Sequence, residues 1–358
     1  MHPYFNLRHL ILSFCSITVL FIGGCITKPS TISFEVKAPG ITDGVFIIKG
    51  DKGEVLYGGS IKNGKLKLAL QPIEQTGYFT MNISDRAKNA PPIPFEVYLE
   101  PGNYTFEANA TKLRAYPKTT STSSIQNELT DFYTTADSIA TRRIREVPEA
   151  ADKIAIEEFV NKNPKSVTAA HLMLHLSYSD NPTAYYDIYK KMSEDTRNSF
   201  EGKELGEILS HLVGLVPGKP APLISGKTRE GKEFKVADLN KKIYLVEFWK
   251  SGNELSRISH SEGDMKNFLG NIPDHKNLGI IGISLDEKRD WWTSAIVDDK
   301  VTYPQYCDLK GNESANAVNW GIKRIPTYYL VDGNWKILDK DISLKEAIVV
   351  INQYLKHH

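Results

Sequence analysis

The stretch that most restricts the fold of this 358-residue chain runs from Ile243 to Trp249, an apolar segment that breaks at Lys250-Ser251-Gly252 and passes into a helix-like stretch beginning near Asn253. Such a run predicts a strand leading through a short turn into a helix N-terminus. Unpaired amides and the positive end of the helix dipole make that terminus a place where a thiolate would be stabilised. The residues placed there to use it are Asn253 and Ser256. Asn253 has no ionisable group, and its side-chain oxygen suits an N-cap. The Ser256 hydroxyl is not nucleophilic without a base.

Farther along, Gly321-Ile322-Lys323-Arg324-Ile325-Pro326-Thr327 leads into Tyr328-Tyr329-Leu330-Val331 and the turn Asp332-Gly333. Together with Gly218-Lys219-Pro220-Ala221-Pro222 and the Phe248-Trp249 strand end, this pattern resembles the TlpA-like thiol:disulfide oxidoreductases and the neighbouring AhpC/TSA (redoxin) group. The resemblance covers the chain from about Gly218 onward and implies a thioredoxin-like fold. It implies a cis peptide at Pro326 facing the redox position. The catalytic cysteines of that family cannot be carried over, because Asn253 and Ser256 stand in their places, and no peroxidatic cysteine lies near the helix start.

Cysteine usage narrows the chemistry further. The chain holds three, Cys15, Cys25 and Cys307. Cys15 sits inside the apolar run from Leu10 to Ile22, preceded by Arg8 and His9, which has the charged start and short core of a secretory signal. The run falls short of the ~20 residues that a spanning helix needs. It ends in Ile22-Gly23-Gly24-Cys25, which resembles a bacterial lipobox. That resemblance implies acylation of Cys25, a mature chain beginning there, and a stable hold on a membrane. The absence of acidic residues in Ile26 to Ser30 points, by resemblance to sorting patterns, to the periplasmic side of an outer membrane. Cys307 would then be the one free thiol of the mature chain, so an internal disulfide is impossible. A buried residue and a lone exchange or sensor thiol are the two readings of it.

Two histidine patterns invite catalytic or metal readings. Ser256, His260 and Asp264 recur at i, i+4 and i+8 and mimic a hydrolase triad, yet no nucleophile-elbow motif accompanies them. A solvated polar face is the expected explanation, with His260 a surface residue or one that supports its neighbours from behind rather than a general base. His171 and His175 share an i, i+4 spacing in a helix expected over 166–179, without the glutamate of a zincin or a third ligand nearby in sequence. Core or boundary positions are expected for both. No cofactor and no metal are expected.

With 44 basic and 43 acidic residues the chain has no polyelectrolyte character and no basic stripe, so nucleic acid is not an expected partner. Its length predicts several domains. Residues 1–24 read as a lipoprotein signal and 25–30 as a lipidated tether. Period-two alternation, as in Ile32-Phe34-Val36 and in Leu66-Leu68-Leu70 after the Asn63-Gly64 turn, predicts an antiparallel β-sandwich over 31–115. Its end, Val97-Tyr98-Leu99-Glu100-Pro101-Gly102-Asn103-Tyr104, resembles an uncharacterised β-domain found ahead of thioredoxin-like domains in Bacteroidetes lipoproteins. The polar run Lys118 to Ser124 reads as a linker opening a helical connector over 116–216. Alternating strands and helices over 217–358 predict an α/β domain. The expected class is therefore multidomain α+β and α/β: sandwich, helical connector and C-terminal thioredoxin-like fold.

Two functions follow from this reading. In the first, a membrane-tethered thioredoxin-like protein has lost dithiol chemistry and binds an extended peptide or partner protein in a groove lined by Trp249, Asn253, Ser256, Ile325, Pro326 and Thr327. In the second, an oxidoreductase acts through Cys307 and an external thiol, because exchange passes through a mixed disulfide. A third possibility makes the β-domain the working part.

Overall fold

The computed structural model describes residues 31–358 except 74, 89–91, 143–147, 179–180 and 261, with the backbone alone at 148–150 and 262–264. The signal segment, Cys25 and the tether lie outside the described residues. Among the described residues no helix is long and apolar enough to cross a membrane. The chain divides into two compact units at Thr130/Asp131.

The first unit carries β1 (Thr31–Lys37), β2 (Asp43–Lys49), β3 (Val55–Lys62), β4 (Lys65–Pro72), β5 (Gly77–Asp85), β6 (Phe95–Leu99), β7 (Gly102–Glu107) and β8 (Lys118–Ser121). They form one hydrogen-bonded order, β6-β5-β2-β3-β4-β1-β7-β8. Neighbours are antiparallel except β1 and β7. β3 and β4 pair only at Lys62 and Lys65, beside a turn in which Asn63 and Gly64 both have positive φ, the geometry that Asn-Gly hairpins favour. The sheet folds over at that point. Its two four-stranded halves meet through Phe34, Phe46 and Phe106, with ring centroids 5.8 Å apart for Phe34–Phe46 and 5.5 Å for Phe46–Phe106. Alternating burial along β1 and β2 supplies this core and gives the expected sandwich. The run from Lys118 is not a linker: β-branched Thr119 and Thr120 extend the sheet as β8, paired with β7.

Helix α1 (Ser124–Arg142) opens in the first unit and continues into the second. The second unit then holds α2 (Pro148–Lys162), α3 (Thr168–Leu174), α4 (Pro182–Lys191), α5 (Glu194–Asn198) and α6 (Phe200–Gly214). Asn181, Ser193 and Ser199 cap α4, α5 and α6 with side-chain oxygens. α3 is shorter than expected; His171 is buried in it while His175, at its C-cap, is exposed.

The second unit's sheet is built from β9 (Ile243–Trp249), β10 (Leu278–Ser284), β11 (Gln305–Cys307), β12 (Thr327–Asp332) and β13 (Ile337–Ile342), in the order β11-β10-β9-β12-β13. β9, β10 and β11 are parallel, whereas β12 runs antiparallel to both β9 and β13. Crossovers are made by α7 (Glu254–Ser259) with α8 (Glu262–Gly270) between β9 and β10, and by α9 (Arg289–Asp298) before β11. α10 (Ala315–Asn319) precedes β12, and α11 (Leu344–His357) ends the chain behind a capping box at Ser343 and Glu346. Every residue of β9 is buried. Tyr244, Val246 and Phe248 enter one apolar core, and Ile243 and Leu245 the other. Before the sheet, Gly218 and Ala221 donate to the carbonyls of Ile337 and Trp335 at 2.7 and 2.8 Å, lying alongside β13.

Candidate functional site

β9 delivers Trp249 to the C-terminal edge of the sheet, and the chain turns into α7 within four residues. Asn253 is the N-cap of α7: its Oδ1 accepts from the Ser256 amide at 2.9 Å and from the Ser256 hydroxyl at 3.1 Å. The two residues at the helix start thus satisfy each other. The turn itself is pinned by Asp286, fully buried, which accepts from the Ser251 amide at 3.1 Å, the Ser251 hydroxyl at 2.7 Å and the Ser284 hydroxyl at 2.7 Å. Thr327 pairs with Phe248, so the cis Ile325–Pro326 peptide sits beside the same strand end.

The strand order, the parallel β9–β10 crossover, the closing β12–β13 hairpin with α11, and a cis-proline loop next to the helix that follows the central strand make one recognised arrangement. This is a thioredoxin-like fold. Solved structures similar to part of this chain include a thiol-disulfide oxidoreductase from Bacteroides fragilis, 28% identical over 39% of this chain and 98% of that one, with a TM-score of 0.33. A thioredoxin domain of a thiol-disulfide oxidoreductase from Bacteroides vulgatus is 25% identical over 40% and 97%, TM-score 0.34. A thioredoxin-like protein from Bacteroides caccae is 16% identical over 59% and 79%, TM-score 0.45. The sequence matches no protein-family profile and no curated protein.

The groove expected from sequence needs correction. Trp249 and Ser256 are wholly buried and Thr327 nearly so, so none of them lines a surface. Trp249 is held from within, its Nε1 donating to Gln305 Oε1 at 2.8 Å, and the Thr327 hydroxyl donates to the Arg324 carbonyl at 2.6 Å. Asn253, Ile325 and Pro326 remain half-exposed. Sequence reading missed two residues that join them at this end of the domain: Leu255 and Ile258, 63% and 49% exposed on α7. Their i, i+3 spacing beside a candidate site was the available signal.

Cys307 is buried among Trp249, Trp292, Ala295 and Ile296. Its Sγ faces the Asp286 carbonyl at 3.5 Å and the Leu309 amide at 3.4 Å. Burial pushes the thiol above its ordinary range, so it is neither exposed nor ionised as an exchange thiol must be.

The Ser256/His260/Asp264 pattern is not a solvated face either. Ser256 and the His260 side chain are both fully buried; the Asp264 side chain is outside the described ones. Ser256 does not meet His260's ring. The ring instead bridges two carboxylates, with Nε2 3.0 Å from Glu247 Oε2 and Nδ1 3.4 Å from Asp299 Oδ2. Glu247, on β9 and 2% exposed, accepts four bonds: from His260, from Tyr303 at 2.9 Å, from Ser259 at 2.9 Å and from Tyr328 at 3.3 Å. Asp299 is also gripped by Arg257 through Nε and Nη2. Burial alone would lower the His260 pKa, but the bond and charge of Glu247, reinforced by Asp299, outweigh it and raise it above 6.5. Burial and the Glu247 charge hold the Tyr303 hydroxyl well above its ordinary pKa, so it stays a donor. Each Glu247 oxygen has two donors, and no acceptor capacity faces a substrate. The cluster braces α7 and the α9–β11 loop against β9.

Proposed function

We propose that this chain is an envelope lipoprotein whose thioredoxin-like domain has lost dithiol chemistry and binds an extended peptide or a partner segment at the exposed end of α7. The observation that carries the reading is the closed Asn253–Ser256 pair, with no thiol at either position and Cys307 sealed in the core. Leu255, Ile258, Ile325 and Pro326 offer an apolar surface there, suited to side chains of an extended segment. The lipobox-like Ile22-Gly23-Gly24-Cys25 supports anchoring through Cys25, and the non-acidic residues after it support the periplasmic face of an outer membrane. Burial of Cys307 weighs against the alternative, an oxidoreductase acting through that thiol.

The test is insulin reduction with dithiothreitol by the chain from Ile26, beside Asn253→Cys/Ser256→Cys and Cys307→Ala. The expected result is an inactive parent, an active double-cysteine variant, and a parent that retains reduced insulin B chain on a resin unless Leu255→Ser/Ile258→Ser is introduced. Reduction by the parent that disappears in Cys307→Ala overturns the proposal. Radiolabelled palmitate incorporated by the full chain, and lost in Cys25→Ala, tests the anchor.

A further inference from the structure

At the opposite end of α7 from Asn253 lies a cavity of about 850 Å³, bounded by the last turns of α8, residues 272–275 and the loop from α9 to β11. The volume falls within the ~300–1,000 Å³ of small-molecule sites. Its apolar wall is formed by Met265, Leu269, Ile272, Pro273 and Val301, and His275 and Thr302 line it as well. Lys266 and Lys300 stand exposed at its rim. Neither has a carboxylate partner among the described residues. The described carboxylate in the lining, Asp299, is already neutralised by Arg257 and His260. An apolar chamber with two cations that lack a carboxylate partner among the described residues is complementary to an anion carrying an apolar chain.

The rim lysine at 300 is placed by an unusual choice. α9 ends in a Schellman motif: the Lys300 amide donates to the Val297 carbonyl at 3.1 Å and the Val301 amide to that of Ile296 at 3.0 Å. The residue at the centre of this motif is left-handed, a slot that glycine ordinarily fills, and Lys300 occupies it at φ 54°. Here a charged side chain stands on the rim where the backbone alone would favour none.

We propose that this cavity binds a small organic anion with an unbranched apolar chain, the chain lying against Met265, Leu269 and Val301 and the anionic group between Lys266 and Lys300. The His260 and Tyr303 side chains in the lining are committed to Glu247 and Asp299, and His275 Nδ1 donates to the Ile272 carbonyl at 3.1 Å, so the site is assigned to holding the ligand. This site is independent of the peptide surface at the other end of α7.

The test is calorimetric titration of the chain from Ile26, which keeps every described residue, with octanoate and with octanol. Octanoate is expected to bind saturably at one site per chain and octanol at least about tenfold more weakly. Lys266→Glu/Lys300→Glu is expected to weaken octanoate about tenfold, while Leu255→Ser leaves it unchanged. Lys300→Gly keeps the fold intact by relieving the left-handed residue; it is expected to raise Tm yet weaken octanoate about threefold. Absence of saturable heat, equal binding of octanol, or lysine variants that bind as the parent does would each overturn the proposal.

Discussion

Replacing Asn253 with alanine tests whether the former redox position is now a structural joint. The substitution removes two accepted bonds, from the Ser256 amide at 2.9 Å and the Ser256 hydroxyl at 3.1 Å. Loss of an asparagine N-cap costs about 1 kcal/mol. The buried Ser256 hydroxyl keeps a weak donor, the Lys250 amide at 3.5 Å, but loses its acceptor. That adds roughly 1 kcal/mol, for about 2 kcal/mol in all. In a unit spanning residues 131–358 this corresponds to a fall in Tm of about 4–8 °C. The five tryptophans, at 249, 291, 292, 320 and 335, all belong to that unit, so tryptophan fluorescence follows its melting without a signal from the sandwich. Asn253→Asp keeps the acceptor and should stay within about 0.5 kcal/mol of the parent. Adding Ser256→Ala to Asn253→Ala removes the orphaned hydroxyl and should recover part of the loss. An alanine variant that melts with the parent, or an aspartate variant that falls as far as alanine, would refute the capping argument.

Two further outcomes follow from the buried cluster and a third from the buried thiol. Glu247→Gln places amide hydrogens against Tyr303 or His260 and strips the latter's counter-charge, so it should cost about 3 kcal/mol in urea unfolding; a loss under 1 kcal/mol would show the network to be slack. His260 has a folded pKa above its ordinary 6.5, so its stabilisation is complete below 6.5 and is lost as pH rises through the higher folded value. The urea midpoint should therefore decline on the alkaline side in the parent and flatten there in His260→Gln; parallel profiles would contradict this. Cys307 should resist Ellman's reagent in the native chain from Ile26 and react once unfolded in urea, whereas rapid native labelling would place the thiol at the surface.

The strand and turn chemistry was legible in the sequence because it is local. The Asn63-Gly64 hairpin, the β9 run and the Asn253 cap each follow from a few adjacent residues and appear as expected. What stayed hidden depends on residues far apart in the chain. His260 read as surface because a helical face of serine, histidine and aspartate looks solvated until Glu247, Asp299 and Tyr303 close over it from β9 and the end of α9. Glu247 was the overlooked signal: one acid inside an otherwise apolar strand announces a buried partner set. Trp249 reads as a surface residue because it adjoins the redox position in sequence, and Thr327 because it follows the Pro326 expected to face that position, yet β9 and β12 pair along this segment and both side chains are buried.

That single acid also fixes alignment. Side chains on a strand alternate between faces, so sliding β9 by one residue against β10 and β12 would carry Glu247 across to the side where Phe248 now meets Trp320 and Tyr329. The Tyr329 hydroxyl there already donates to the Trp320 carbonyl and the Trp320 indole offers a single N–H, so a carboxylate already stripped of water would not find the four donors that Glu247 has now. An all-apolar β9 would find the neighbouring alignment nearly as comfortable, since both faces of the sheet are greasy. Glu247 thus serves the central strand as an index mark, excluding the misthreaded sheet and so holding Trp249, the turn and α7 at one fixed height above it.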